Sequence, residues 1–169
     1  MGRRIVVLAA GAMGRIIVKD LAETFLQQVQ DAELVVADFN RERAREQAAA
    51  LRHPRISAAF ADAQDLRGTA RLLRGALGVI HAVQYQLNLS VMRGALAARA
   101  HYVDLGGLFH VTRQQLRPDP EFHRIGVRPP ETAVPVDTFI MELRKRRMTV
   151  RVRNLPGGSG GPRPRRSAR

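Results

Sequence analysis

A chain of 169 residues with 45% hydrophobic side chains is long enough to bury the core of one domain of ordinary size. We find neither an apolar run of the ~18 residues that a membrane-spanning helix needs nor the cleavage region of a secretory signal, so we do not expect a membrane protein. The absence of cysteine excludes disulfides and thiolate metal sites. It is compatible with the reducing cytoplasm, where we expect the protein to act.

The net charge of +13 comes from 28 basic and 15 acidic residues. Lys19 and Lys145 are the two lysines, and ten of the basic residues lie between positions 141 and 169. Charge concentrated in this way predicts a solvated basic extension. An arm that binds nucleic acid or an acidic partner is the alternative, but the segment lacks aromatic side chains that would stack on bases. Nucleic acid is therefore not expected as a partner.

Apolar runs of strand length alternate with segments of helical period in the first two thirds of the chain. The first run, IVVL, is apolar on both faces, as is typical of a central parallel strand. The alternation predicts an α/β fold with a doubly wound parallel sheet. In chain order, the predicted elements are a strand at 4–8, a helix at 14–29, a strand at 33–37, a helix at 41–51, a strand at 55–61, a helix at 65–74, a strand at 77–83, a helix at 88–98 and a strand at 101–105.

The regular alternation ends near Phe109. Residues 111–116 are predicted to begin a helix, which Pro118 and Pro120 would interrupt. Beyond them, 136–147 fits an amphipathic helix, and MTVRVRN at 148–154 alternates like a short edge strand. Residues 156–169, PGGSGGPRPRRSAR, have no apolar content to bury and are predicted to form a disordered basic tail.

The turn after the first strand reads Ala9-Ala10-Gly11-Ala12-Met13-Gly14. In a dinucleotide-binding turn, the first glycine allows a tight bend, the second lets backbone approach the pyrophosphate, and the third permits close packing of helix on strand. The second and third places are glycine here, and Ala9 occupies the first, at a cost of about 1–2 kcal/mol if that position needs a positive φ. We predict pyrophosphate binding at the helix N-terminus, with an ordinary turn as the alternative. The predicted contacts are Gly11, Ala12, Met13 and Gly14.

Asp38 stands at the end of the second predicted strand. A carboxylate there accepts hydrogen bonds from an adenosine ribose and repels a 2′-phosphate, so NAD is predicted in preference to NADP. Arg41 and Arg43 follow closely and would offset part of this repulsion, which leaves NADP open. Asn40 and Arg41 are included among the predicted cofactor contacts. Capping of the second helix is the alternative role for Asp38 or Asn40.

Ligands of such sheets lie beyond the carboxyl ends of the strands. The end of the fourth predicted strand, HAVQYQLN, should therefore face the cofactor through Ala82, Val83 and Tyr85. At the end of the third strand, Asp62 and Ala63 should lie near the adenine. These five positions complete the predicted cofactor site.

The catalytic groups are less well defined by the sequence. Asp104, at the end of the fifth strand, and Tyr85 are the candidates for the substrate side. His81 is expected to point into the sheet, and His101 begins its strand at the opposite edge, where we expect no chemistry. No His–carboxylate or Lys–Tyr constellation marks a general base, and no metal site is predicted.

Four stretches of the chain resemble a known family: VVLAAGAMGRIIVKDLAE, VVADFNRERA, DAQDLRGTARLLRG and VIHAVQYQLNLSVMRGALAARAHYVDLGGLF. They are similar to the saccharopine dehydrogenase and lysine 6-dehydrogenase group over about residues 3–126. Members of that group oxidise or form C–N bonds of amino acids and pass hydride to a nicotinamide. The resemblance implies a pyrophosphate turn at 11–14, a ribose contact at Asp38 and an adenine contact at Asp62 and Ala63. It also implies a nicotinamide-side wall at 82–85 and a substrate-side carboxylate at Asp104.

The sequence departs from the family pattern in three ways. Ala9 replaces the first glycine, and His81 and Gln84 stand where asparagine and proline are usual. The family continues with a large mixed domain for substrate binding and dimerisation, of which RPPETAVPVDTF retains at most a trace. We therefore divide the chain into a Rossmann-like dinucleotide-binding domain at 1–126, a remnant of the domain junction at 127–155 and the tail at 156–169.

These observations predict the NAD(P)-binding domain of a saccharopine dehydrogenase-like oxidoreductase, as expected of a truncated gene product. On this reading the chain is incomplete for catalysis alone, and a complementary substrate-domain chain is an expected partner. The alternative is a basic-tailed interaction protein that binds nucleic acid or an acidic partner.

Overall fold

The computed structural model describes residues 3–106 and 109–115, together with the single positions Glu121 and Arg124. Five parallel strands form one sheet in the order β3-β2-β1-β4-β5. The strand order reverses between β1 and β4, which confirms the predicted doubly wound α/β fold. The strands are β1 (Arg3–Leu8), β2 (Ala32–Asp38), β3 (Ile56–Phe60), β4 (Gly78–His81) and β5 (His101–Asp104).

Helices connect the strands and cover both faces of the sheet. Between β1 and β2 lie two helices, and a 3-10 turn at Tyr85–Leu87 precedes the helix that leads to β5. A further helix follows β5, in the region where the sequence predicts one at 111–116. The helices are α1 (Ala12–Glu23), α2 (Phe25–Gln28), α3 (Arg41–Ala50), α4 (Leu66–Leu73), α5 (Asn88–Ala98) and α6 (Phe109–Gln115).

The central strand β1 is buried on both faces, as its IVVL sequence predicts. Ile5 and Val7 pack in a core with side chains from α1, α2 and α3. Val6 and Leu8 pack on the opposite face with side chains from α4 and α5. The sheet therefore separates two hydrophobic cores, and the carboxyl ends of its strands form an edge between the two helical layers.

The predicted helix at 14–29 is wrong at both ends and is interrupted at Thr24. The helix begins at Ala12, and the interruption separates α1 from α2. Thr24 has φ −111° and ψ −68°, and both its backbone N–H, at 2.9 Å, and its hydroxyl, at 2.7 Å, donate to the Asp20 carbonyl. Threonine hydroxyls that bond back in this way often bend a helix.

Arg55 stabilises the end of α2, although it lies more than 20 residues later in the sequence. Its guanidinium donates to the carbonyl of Val29 at 2.7 Å and that of Gln30 at 2.8 Å. It also donates to the carbonyls of Leu26 and Ala32. The bonds to Leu26 and Val29 satisfy backbone acceptors that a helix leaves unpaired at its C-terminus, and the bonds to Gln30 and Ala32 hold the chain that leads into β2.

The fourth strand is shorter than predicted, because it ends at His81 instead of Val83. Its pairing with β1 stops at the register pair Leu8–His81. The residue after β1, Ala9, bends away into the turn with φ +142°. The Ala82 N–H still donates to the Leu8 carbonyl at 3.0 Å, and the chain then enters the 3-10 turn.

Several predictions fall outside the described residues. They are the helix at 136–147, the strand at 148–154, the junction at 127–155 and the tail at 156–169. Within the part of the chain that the structure describes, no helix is long and apolar enough to cross a membrane.

Candidate dinucleotide site

The turn from β1 to α1 leaves the N-terminus of α1 open to a ligand. Gly11 is the N-cap residue, no side chain caps the helix, and its first turn contains no acidic residue. The first backbone N–H groups of a helix have no partner within the helix, and the helix dipole favours an anion beside them. These features fit a pyrophosphate, because they supply N–H donors that no side chain caps and no acidic residue within the first turn.

The three positions of the turn that are glycine in a typical dinucleotide-binding motif, 9, 11 and 14, differ in how strongly the structure requires glycine. Ala9 adopts φ +142°, a conformation that normally belongs to glycine. Gly14 packs on the Ala9 carbonyl so closely that a Cβ at position 14 would overlap it. At Gly11, by contrast, φ is an ordinary −79° and no atom lies within 4 Å of where a Cβ would stand. Nothing in the protein itself requires glycine at position 11, so the open space suits the close approach of a ligand.

Asp38 ties the end of β2 to this turn. One carboxylate oxygen accepts a hydrogen bond from the Ala10 N–H at 2.7 Å, and the other accepts from the Asn40 N–H at 2.8 Å. Charged acceptors form stronger hydrogen bonds than neutral ones. The predicted ribose-binding carboxylate therefore also fixes the turn that would hold the pyrophosphate.

A cleft of about 380 Å³ opens at the carboxyl ends of β1, β2 and β3, beside the segment after β4. Two of its residues are acidic and none is basic. The structure therefore brings together four predicted cofactor contacts, namely Asp38, Asp62, Ala63 and Val83. The remaining lining residues are Leu8, Ala37, Phe39, Ala61, Gln64 and Leu87.

Asn40 and Arg41 lie outside the cleft lining. The Asn40 side chain accepts from the Arg43 N–H at 3.1 Å and so caps α3, which is the alternative role that the sequence left open. The Arg41 guanidinium lies over the ring of Phe60, with its Cζ 4.7 Å from the ring centroid. Their roles as cofactor contacts stay predictions, and the geometry gives each of them a structural role.

The segment after β4 contributes unevenly to the cleft. Val83 lines it, whereas Ala82 packs against the core below α1 and α2. Tyr85 is half-buried in the 3-10 turn and is not part of the lining. The predicted contacts at Ala82 and Tyr85 stay predictions.

Asp104 does not face the cleft but is buried in a polar cluster under α5 and α6. Its carboxylate accepts hydrogen bonds from the Asn88 amide at 3.0 Å, the Tyr102 hydroxyl at 2.9 Å and the Gly106 N–H at 2.7 Å. The Gln115 amide donates to it as well. With this environment Asp104 connects β5 to two helices, so the geometry favours a structural role over the predicted substrate-side role.

Two titratable neighbours of Asp104 have shifted pKa values. Burial lowers the pKa of His81 from 6.5 to about 4, and the nearby Asp104 charge opposes part of that shift. Burial, followed by the charge of Asp104 and its hydrogen bond, raises the pKa of Tyr102 well above its usual 10.0. The two rings stack with centroids 6.2 Å apart. His81 thus points into the sheet as expected, as a neutral core residue, and His101 begins β5 at the other edge.

Sequence reasoning missed the other six residues that line the cleft, namely Leu8, Ala37, Phe39, Ala61, Gln64 and Leu87. Each lies within three residues of a predicted contact, at or near the end of a strand, and this position could have indicated them. Among the residues that the structure describes, no group of three His, Cys, Asp or Glu side chains could hold a metal ion.

The open helix terminus, the acidic residue at the end of β2 and the cleft at the switch point of the sheet define a dinucleotide-binding domain of the Rossmann type. The chain belongs to the saccharopine dehydrogenase family: residues 5–133 match the model of the saccharopine dehydrogenase NADP binding domain. This match confirms the resemblance seen in the sequence.

Solved structures show the same fold. The chain is similar to saccharopine dehydrogenase (L-Glu forming) from Saccharomyces cerevisiae, with 19% identity and a TM-score of 0.65 over 85% of this chain and 30% of the yeast chain. It is also similar to an NADPH-dependent quinone oxidoreductase from Escherichia coli, with 19% identity and a TM-score of 0.51 over 73% of this chain and 44% of that one. The chain therefore spans less than a third of the yeast enzyme.

Proposed function

We propose that this chain is the NAD-binding unit of an oxidoreductase that acts on C–N bonds of amino acids. The observation that carries the proposal is Gly11, which has ordinary backbone geometry and open space around its missing side chain. A glycine that the protein does not itself need, at an uncapped helix N-terminus, fits a backbone that approaches a pyrophosphate. Membership of the saccharopine dehydrogenase family supports the same function.

Different residues of the site would contact different parts of the dinucleotide. The N–H groups of Ala12 and Met13 would bind the pyrophosphate, and Asp38 would accept hydrogen bonds from the adenosine ribose. Asp62 and Ala63 would border the adenine, and Val83 would border the nicotinamide half. The bound nicotinamide supplies hydride transfer, and the protein supplies orientation and electrostatics.

We propose NAD rather than NADP as the preferred cofactor. The cleft contains the carboxylates of Asp38 and Asp62 and no basic side chain among its lining residues. Arg41, which could neutralise a 2′-phosphate, lies over Phe60 instead. A 2′-phosphate in this cleft would therefore lie beside negative charge, with no cation among the lining residues to compensate it.

The substrate would be an amino acid of the lysine or saccharopine type, bound with the help of a further domain. The chain covers 30% of the yeast enzyme, and the described cleft contains no candidate general base beyond carboxylates. We propose that this part of the protein binds the cofactor and that a substrate domain completes catalysis. Turnover of lysine or saccharopine by the purified chain alone would contradict this division of labour. The cytoplasmic location stays a prediction.

A fluorescence titration with NADH tests cofactor binding. The wild-type chain should give a saturable signal below millimolar NADH. Gly11→Leu should abolish it, because the new side chain fills the space that the pyrophosphate needs, while the circular dichroism spectrum stays unchanged. Ala97→Leu, at an exposed position near the far end of α5, adds a side chain of the same kind away from the site and is the control. Equal affinity in the wild type and Gly11→Leu would show that the turn does not bind pyrophosphate.

A further inference from the structure

Phe39 is the most exposed large hydrophobic side chain of the described residues, with 70% of its surface accessible. It directly follows Asp38 and lines the cleft beside Ala61 and Asp62. Single exposed apolar residues are ordinary on protein surfaces. This one, however, is an aromatic ring at the rim of the proposed adenosine site, so its exposure places a free aromatic surface where a base would lie.

The ring of Phe39 packs against that of Phe60, which in turn packs against Arg41. Phe60, at the end of β3, lies with its ring centroid 5.7 Å from that of Phe39, at an interplanar angle of 46°. Arg41 lies over Phe60, with Cζ 4.7 Å from the centroid. Tilted aromatic pairs and cation–π contacts each contribute favourable energy. Arg41, Phe60 and Phe39 therefore form a row that ends at the cleft, and we call it the aromatic row.

We propose that the adenine ring of the cofactor stacks on Phe39, at the end of the aromatic row. The opposite wall would be the segment from Ala61 to Gln64, which follows β3 and lines the same cleft. Stacking would bury the exposed ring surface, and base–aromatic stacking is sequence-tolerant because it uses the π-face of the base. The proposal rests on the proposed function, since it concerns how the same dinucleotide is held.

The aromatic row also accounts for the position of Arg41. Its guanidinium lies in a depression with Arg45, Ala58, Ala59 and Phe60, which is separate from the cleft. Arg41 would thus act as a positioning residue, because it supports Phe60 and reaches the base only through the two rings.

Binding of ADP-ribose tests the proposal by calorimetry. Phe39→Ala should weaken binding about 10-fold, as expected for the loss of one stacked base. Phe39→Tyr, which keeps a ring, should bind within about twofold of the wild type. Leu66→Ala removes a side chain that is 38% exposed and lies outside the cleft lining, and it should bind like the wild type. Melting temperatures of all variants report whether each protein is folded.

Proton NMR of the bound ADP-ribose separates stacking from general apolar contact. Ring currents should shift the adenine H2 and H8 signals upfield in the wild type, and Phe39→Leu should lose most of this shift while keeping an apolar side chain. If the wild type binds and Phe39→Ala binds equally well without loss of the shift, adenine does not stack on Phe39 and the cofactor proposal stands. If the wild type binds neither ADP-ribose nor NADH, both proposals are wrong.

Discussion

Gly14 lies directly against the carbonyl of Ala9, so that the first turn of α1 packs on the end of β1 without a side chain between them. A Cβ at position 14 would overlap the Ala9 oxygen, stand 2.8 Å from its carbonyl carbon and reach the Ala9 Cβ at 3.5 Å. The obstructing atoms belong to the backbone, which cannot rotate away. This contact fixes the direction in which the N-terminus of α1 points.

Gly14→Ala should therefore destabilise the fold itself. We expect a loss of at least about 2 kcal/mol in the free energy of unfolding, since overpacking against backbone forces the helix to move. Urea unfolding followed by circular dichroism measures it. Gly11→Ala is the matched control, because its Cβ meets open space at an ordinary φ, and it should cost less than about 1 kcal/mol. Equal losses in the two variants would show that position 14 has no special packing.

Ala9→Gly should stabilise the protein. Relief of the strained φ of +142° should raise the free energy of unfolding by about 1–3 kcal/mol. The greater freedom of glycine in the unfolded chain should lower it by about 0.5–1 kcal/mol. We expect a net gain of about 1 kcal/mol, seen as a higher melting temperature. Ala10→Gly, at the next residue of the same turn, should instead lower stability. A melting temperature of Ala9→Gly at or below that of the wild type would mean that the alanine is not strained.

The sequence predicts the fold well because its hydrophobic pattern is local. The IVVL run requires burial on both faces, and β1 is indeed the central strand. The break at Thr24 and the stabilisation of α2 by Arg55 escaped prediction for a different reason. The Arg55 contacts join positions that are 23 to 29 residues apart, and no periodicity in one segment reveals them.

The candidate site was predicted only in part. The positions of the strand ends predict which residues lie at the same edge of the sheet, but they do not predict where the side chains point. Asp38 is the last residue of β2 and lines the cleft as expected. Asp104 follows the same rule, yet it shares a face of β5 with Tyr102 and is turned under α5. The alternation of β5 could have indicated that direction, since residues two apart on a strand share a face.

Asp38→Ala should change both the affinity for the cofactor and the choice between cofactors. Loss of the hydrogen bonds to Ala10 and Asn40 loosens the turn, which weakens NADH and NADPH binding alike because the pyrophosphate is common to both. Loss of the carboxylate charge removes a contact to the ribose of NADH and a repulsion of the 2′-phosphate of NADPH. The ratio of the two dissociation constants should therefore move toward one, as measured by parallel fluorescence titrations. An unchanged ratio would mean that Asp38 stabilises the turn but does not determine the choice between NADH and NADPH.

His81 should make the stability of the fold depend on pH. Its folded pKa of about 4 lies below the unfolded value of 6.5, because burial disfavours the charged ring. Well above pH 6.5 the ring is neutral in both states and contributes no slope. As the pH falls from 6.5 to about 4, the unfolded chain binds a proton that the folded chain does not, so the free energy of unfolding decreases. The slope should approach about 1.4 kcal/mol per pH unit, the value for one proton.

His81→Leu should remove this contribution, since the position is buried and an apolar side chain there has no proton to take up. Urea unfolding at several pH values between 7 and 4 gives the free energy of unfolding of the wild type and of the variant. The difference between the two values isolates His81, because the titration of the carboxylates common to both proteins cancels. The variant should gain stability relative to the wild type as the pH falls. Parallel curves for the two proteins would show that His81 takes up its proton equally well in the folded and unfolded chains, and hence that its ring is not held neutral by the core.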